Sequence, residues 1–376
     1  MFSFFKHLKN VIAFNQLDKK DRQLVFYSEG KNYWVHLEGM VKAWLKNYDI
    51  PICYVSSAGD DPGLLLKHKN FRSFTIDEGW VRNWFFENIE TDVMVMTMPD
   101  INQYQVKRSR HKVHYVYTQH SLVSFHMVYR KGAMDYYDSI FCAAPHHKTE
   151  TRALEKHYGL PKKDLYEHGY GRLDSIINNK NSVSHNPQSN ENTKGHVLLA
   201  PSWGDDSIIE LLGDKVVAPV LKAGYKLTLR PHPQTLIFAK EKVQAIIDKH
   251  QNNPLFHFES NVAGQDSLHD SNIMICDWSG AALDYAFGLN KPVVFIDVPR
   301  KINNQDYQQL NIEPYEVSIR EKIGRVVALD EVNNLAQHIE KTLIHFENNS
   351  FKNDIYNLGN SAKKGAYFLN EILKNL

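Results

Sequence analysis

The chain has 376 residues, 43% of them hydrophobic and 23% charged, and a formal net charge of +1. That length suits two domains better than one core, and the near-neutral balance excludes a general nucleic-acid binder. Three scattered cysteines, Cys53, Cys142 and Cys276, lack paired ligand spacing and read as buried reduced thiols, while no run approaches the ~18 apolar residues of a spanning helix and no signal-peptide cleavage site is visible. The sequence is therefore expected to act in the cytoplasm, neither secreted nor integral to a membrane.

Residues 1–17 place Phe4, Phe5, Leu8, Val11 and Ile12 on one side of a helical wheel and Lys6, Lys9 and Asn10 on another. Such a helix either packs on its own domain or lies on a membrane surface. Beyond Arg22, apolar runs at Gln23 to Ser28, Ile50 to Ser56, Phe71 to Ile76, Asp92 to Thr97, Val113 to Thr118 and Ser139 to Ala143 read as strands. Helical patterns at Trp34 to Asn47, Gly79 to Asn88 and His147 to Tyr158 sit between several of them, which predicts βαβ units and a mainly parallel sheet. The expected first domain spans 1–177.

The stretch 178–195 is almost wholly polar and reads as a linker or surface loop. A second α/β domain is expected over 196–350. Its strands are His196 to Ala200, Lys226 to Arg230, Leu255 to Phe258, Ile273 to Cys276 and Val293 to Asp297. Its helices are Ile208 to Ala223, Phe238 to Asn252 and a segment from Leu329 to about Phe346. A C-terminal helix over 351–376 closes the chain, and no internal repeat is visible.

The organising stretch is Ile273 to Ala286, a buried strand, a tight turn and the first turns of a helix. Ser279 suits a helix N-cap and Gly280 lets a ligand approach the backbone, so unpaired amides and the positive dipole end favour a phosphate. Lys226 to Pro233 ends a strand in Arg230 and His232, two phosphate-seeking side chains at a carboxyl end, where open parallel sheets bind ligands. After the strand at His196, Ser202 and the amides near Gly204 could hold a phosphate oxygen or a ribose hydroxyl, although turns use the same residues for capping. Asp277 and Asp284 flank the anion site; Asp284 could bond a ligand hydroxyl or simply favour the helix N-terminus. His120, at the end of the strand Val113 to Thr118, is placed to accept a proton. His111, His114, His146 and His147 read as surface or capping groups, because no acidic or cysteine partner stands at metal-ligand spacing. No metal site is predicted.

Taken in order, Gly171-Arg172-Leu173-Asp174, Ala200-Pro201-Ser202-Trp203, Arg230-Pro231-His232-Pro233, and Asp277-Trp278-Ser279 followed by Asp284-Tyr285-Ala286 and Lys291-Pro292-Val293-Val294-Phe295 resemble the CDP-glycerol glycerophosphotransferase family of teichoic-acid and capsule biosynthesis. The resemblance implies a GT-B fold, two Rossmann-like α/β domains whose parallel sheets face each other across a cleft. It also implies a bacterial enzyme at the inner face of the plasma membrane, where it moves glycerol phosphate from CDP-glycerol to a hydroxyl of a surface polymer or its lipid-linked primer and releases CMP. His120 falls on the family's acceptor-side base, His232 on its donor-side histidine, and Ser279 on a serine of the donor pyrophosphate site. Cys276, Gly280, Ser121 and Gly204-Asp205-Asp206 depart from the family's usual residues, which leaves CDP-ribitol open as donor. A Mg²⁺ ion bridging the donor phosphates would need few protein ligands. A GT-B glycosyltransferase, a sugar-nucleotide epimerase and a non-catalytic capsule-assembly module are the alternatives.

Overall fold

The computed structural model describes residues 2–77, 79–182, 193–261, 264–347 and 354–376. Strand-forming runs such as Leu24-Val25-Phe26-Tyr27 and Val93-Met94-Val95-Met96 are buried along their whole length, with no polar alternation, because both faces of each sheet are covered. β1 (Leu24–Ser28), β2 (Ile52–Ser56), β3 (Phe71–Thr75), β4 (Val93–Met96), β5 (His114–Thr118), β6 (Ser139–Cys142) and β7 (Asp164–Glu167) form one parallel sheet in the order β3-β2-β1-β4-β5-β6-β7. Phe26 of β1 stands in register with Tyr54 on one side and Val95 on the other, so the strand order reverses between β1 and β4. β8 (His196–Leu199), β9 (Lys226–Leu229), β10 (Phe256–Phe258), β11 (Ile273–Cys276), β12 (Val293–Ile296) and β13 (Gly324–Val327) form a second parallel sheet in the order β10-β9-β8-β11-β12-β13. This is the doubly wound dinucleotide-fold order, with its reversal between β8 and β11. The chain thus has two Rossmann-like α/β domains.

Contacts divide the chain into two compact units. One comprises Met1–Ser175, Asn303–Ile312 and Lys352–Leu376, and the other Ile176–Ile302 and Glu313–Phe351. The C-terminal segment therefore returns to the first unit. Its helix, Ser361–Lys374, buries Ala366, Leu369 and Ile372 in the core that holds Leu37, Met40 and Trp44 of the helix Trp34–Asn47. Asp174 pins the start of that helix by accepting from Gly359 N, Ser361 N and Ser361 Oγ at 2.6–2.7 Å. The aspartate of the Gly-Arg-Leu-Asp motif is thus a structural anchor. The N-terminal helix Phe2–Asn15 packs on the same unit, where Phe14 meets Phe74 and Phe85 edge-on and Asn10 Nδ2 donates to Thr75 O, leaving Phe5 and Ile12 exposed.

Several boundaries differ from the sequence reading. The segment Ile208 to Ala223 is two helices, Ile208–Leu211 and Asp214–Lys222, because Gly213 turns left-handed at φ 51° between them. Thr235–Phe238 and Lys240–His250 are likewise separate, and the tail segment opens as a 3₁₀ turn before the helix Leu335–His345. The expected polar linker begins within the end of the helix Gly171–Ser182, and its residues 183–192 lie outside the described ones. The C-terminal helix begins at Ser361 rather than Phe351, and residues 351–353 also lie outside the described ones.

β13 can pair closely with β12 because its first residue is a glycine. A Cβ on Gly324 would lie 1.7 Å from Val293 O, a backbone atom with no room to yield. Gly324→Ala is expected to cost about 2–3 kcal/mol, as forced overpacking does, read as a lower urea midpoint at unchanged m-value. A midpoint equal to wild type would show that β13 can move away freely.

Candidate active site

β8 and β11 are neighbours at the strand-order reversal of the second unit, so the loops leaving their carboxyl ends share the place where such sheets bind ligands. Asp277, the residue after β11, is buried and ties these loops together. Its Oδ1 accepts from Ser202 N at 2.7 Å and its Oδ2 from Ile208 N at 3.1 Å, so it also caps the short helix Ile208–Leu211. Burial pushes its carboxyl pKa up, and the N–H groups of Ser202, Ile208 and Trp278 oppose that shift. Gly204 reaches φ 114° inside the held loop, a conformation that favours glycine. The Cys276 thiol donates to Ala200 O on the neighbouring loop, and burial pushes that thiol up to about 12. This side chain serves the core.

The turn after Asp277 leads into the helix Ala281–Leu289. Ser279 Oγ accepts from Ala281 N at 3.3 Å, which makes Ser279 the side-chain cap, while Gly280 has helical dihedral angles. The N–H groups of Ala281, Ala282 and Leu283 are bonded within the turn, to Ser279 Oγ, Ser279 O and Gly280 O, and the positive end of the helix lies at the sheet's carboxyl edge. Asp284 lies buried in the first turns of the same helix.

His232 follows β9 by three residues and is half-buried. Its Nδ1 accepts from Gln234 N at 3.1 Å, which assigns the ring proton to Nε2 and leaves that atom as a donor. Burial, with a smaller contribution from the Lys301 charge, holds its pKa down at about 4, so the ring is neutral near pH 7. The Trp203 ring lies 6.0 Å from it, and Lys301 sits on that indole, with Nζ 3.9 Å from the ring centroid and 3.2 Å from Trp203 O. Burial lowers the Lys301 pKa to about 8, and the charge of the Asp277 carboxylate opposes that shift. Lys301 was not singled out in the sequence; only the path of the chain after β12 brings it beside Trp203 and His232. Arg230, by contrast, is buried and donates through Nη1 to Ser267 Oγ at 3.2 Å and Gly264 O at 3.4 Å, so its guanidinium holds the segment before β11. Ser202 is buried beside Asp277, its carbonyl 3.5 Å from Thr235 Oγ1. The second unit thus gathers Ser202, His232, Asp277, Ser279, Gly280 and Asp284 around one sheet edge, and turns Arg230 into its framework.

His120 belongs to the first unit, just beyond β5. Its Nδ1 lies 3.0 Å from Tyr117 OH and its Nε2 3.4 Å from Tyr129 OH, while Tyr170 OH donates to its carbonyl at 2.9 Å. The rings of Tyr33 and His36 lie 6.1 and 6.3 Å away. Burial in this aromatic nest lowers its pKa to about 4, so the imidazole is a free base at neutral pH. His114, His146 and His147 are bonded to Ser139 Oγ, Leu122 O and Val123 O. Among the described residues no three His, Cys, Asp or Glu side chains are placed to hold a metal ion, and no helix is long and apolar enough to cross a membrane.

Residues 126–309 match the family described as CDP-Glycerol:Poly(glycerophosphate) glycerophosphotransferase. A minor teichoic acid biosynthesis protein, GgaB of Bacillus subtilis (strain 168), is 22% identical over 95% of this chain, which spans 38% of that relative's length. Among solved structures, the wall teichoic acid polymerase TagF with CDPG superimposes with a TM-score of 0.56 at 15% identity, covering 99% of this chain and 94% of that one. A structure described as a UDP-N-acetylglucosamine 2-epimerase of Listeria monocytogenes gives 0.60 at 13% identity, covering 94% and 97%. At these identities the superpositions show a shared fold, the two-domain GT-B architecture.

Proposed function

We infer that this chain, a member through residues 126–309 of the CDP-glycerol:poly(glycerophosphate) glycerophosphotransferase family, transfers glycerol phosphate from CDP-glycerol to a hydroxyl of a teichoic-acid-like or capsule polymer. The observation that carries this reading is the set of positive and donor groups at the sheet reversal of the second unit: neutral His232 Nε2–H, the Lys301 ammonium and the positive end of the helix Ala281–Leu289. Together they suit a diphosphate. The acceptor hydroxyl oxygen attacks the glycerol-bearing phosphorus, the bond to the bridging oxygen breaks, and CMP departs with that oxygen. His120 takes the hydroxyl proton. The transition state gathers charge on phosphoryl oxygens, and fixed donors stabilise it there. No step is routed through Mg²⁺, and CDP-ribitol is the second donor to test. Work at the inner face of the membrane is part of the proposal; exposed Phe5 and Ile12 of the N-terminal helix would be the lipid-facing side chains.

Donor affinity tests this reading through Lys301. Its ammonium is charged below about 8 and neutral above it, so calorimetric CDP-glycerol affinity should fall as pH rises past that value. Lys301→Gln should weaken binding roughly 10- to 100-fold at pH 7, the size of a lost charge-assisted bond, and Lys301→Arg should bind without the alkaline decline. Equal affinities in all three proteins would remove Lys301 from the phosphate site. Binding of a UDP-sugar in preference to both CDP-polyols would instead favour a glycosyltransferase or an epimerase.

A further inference from the structure

Beyond the phosphate-binding edge, the second unit contains a pocket of about 740 Å³ at the carboxyl ends of β11, β12 and β13. Its inner wall is an ordered stack. The Arg320 guanidinium lies over the Trp278 indole at 4.0 Å and over the Phe295 ring at 5.0 Å, and Trp278 Nε1 donates to Val298 O. Arg320 Nη1 donates to Asp297 Oδ1 at 2.7 Å, with the Arg320 side chain 6% exposed and that of Asp297 51% exposed. Arg320 Nη2 lies 3.4 Å from Ile296 O and its Nε is buried with no partner among the described residues, so the guanidinium is fixed in place, while the half-exposed Asp297 carboxylate bonds it through Oδ1.

The chemistry of this wall selects a ligand class. A hydroxyl both donates and accepts, so a fixed carboxylate beside a fixed guanidinium can grip two neighbouring hydroxyls, one by each partner. The pair is neutral overall and does not by itself attract an anion. Arg300, Glu313 and Glu321 also line the pocket, giving three carboxylates against two guanidiniums, a balance that disfavours phosphate. Pro299, Val317 and Leu329 supply apolar surface for the C–H face of a ring or chain. Trp278 directly precedes Ser279, so this pocket adjoins the turn assigned to the donor phosphates.

We propose that this pocket binds the vicinal hydroxyls of a neutral polyol or saccharide, gripped by Asp297 and Arg320. The assignment of those hydroxyls to a substrate of phosphate transfer rests on the function proposed above; the hydroxyl-binding site itself does not. Two sources share the chemistry, the polyol of the donor and a saccharide of the acceptor.

Saturation-transfer NMR on the whole protein tests this directly. The probes are glycerol, ribitol, maltose, cellobiose and N,N′-diacetylchitobiose, with CDP in every tube. At least one neutral probe should take up saturation from wild type and lose it at least fivefold, as an order of magnitude for one lost carboxylate contact, in Asp297→Ala. Asp297→Ala takes the carboxylate from the buried Arg320 guanidinium, so an unchanged CDP signal in the same tube verifies its fold; Glu321→Gln serves as a second variant, expected to weaken the same probe. Saturation of the polyols alone assigns the pocket to the donor, and of the disaccharides alone to the acceptor. No saturated neutral probe, or equal saturation in Asp297→Ala, overturns the proposal. A wild-type protein that binds a neutral probe but not CDP would uphold the pocket while removing the nucleotide donor.

Discussion

Replacing His120 by asparagine is expected to lower turnover roughly 10²- to 10⁴-fold, the usual contribution of a positioned general base, with CDP-glycerol affinity unchanged. The two effects are assigned to different residues. His120 belongs to the first unit, whereas the groups assigned to the diphosphate all belong to the second. Asparagine keeps a polar group beside Tyr117 OH and Tyr129 OH, so the aromatic nest survives, but it cannot take a proton. The pH profile adds a second signature. An imidazole held at about 4 is a free base above that value and is lost as a base when the pH falls through it. An anionic substrate near the ring would move that limb upward. Wild-type turnover should therefore decline on the acid side, and the residual turnover of His120→Asn should lack that limb. Turnover near wild type in a folded His120→Asn would remove this residue from the chemistry.

Asp277→Asn should cost about 1–3 kcal/mol of stability, the cost of leaving a buried N–H unsatisfied, and should abolish donor binding in what remains folded. The wild-type carboxylate accepts two backbone N–H groups, from Ser202 and Ile208, one on each oxygen. An amide offers one acceptor oxygen and one NH₂, so one of the two N–H groups must face a donor. The loop from Ser202 to Ile208 then loses its tie to β11, and Trp203, on which Lys301 rests, moves with it. Urea unfolding would show the stability loss, and calorimetry with CDP-glycerol would show the loss of binding. A variant of wild-type stability with intact donor affinity would mean that the loop holds its shape without Asp277.

The sheets were legible because their strands are continuous apolar runs with helical intervals between them, a pattern that parallel sheets impose by burying both faces. The edge strands were not. β7, Asp164-Leu165-Tyr166-Glu167, has no buried residue, and β13 begins with Gly324-Arg325, so neither carries the apolar signal of the central strands. Sequence order brought the loops after β8, β9 and β11 to one sheet edge, since carboxyl ends of parallel strands gather together by topology. It could not tell an inward-facing cation from one facing the ligand edge. Arg230 turned out to hold Ser267 and Gly264, while Lys301, five residues beyond β12 and unremarkable in the sequence, came to rest on Trp203. Asp277 looked like a ligand-side carboxylate and is a loop anchor, because the two N–H groups it serves come from residues more than sixty positions away. The return of the last helix to the first unit was equally hidden, since Gly365 and Ala366 fit against Met40 and its neighbours only once the fold exists.

Release of CMP is the most direct test of polyol-phosphate transfer from a CDP-linked donor. Purified protein would be given CDP-glycerol, CDP-ribitol and a UDP-sugar in parallel, with a bacterial glycolipid extract as acceptor. Acceptor-dependent CMP is expected from a CDP-polyol alone, and is expected to be lost in His120→Asn. Tight binding of CDP-glycerol with no CMP released in the presence of acceptor, or turnover of the UDP-sugar alone, would contradict it.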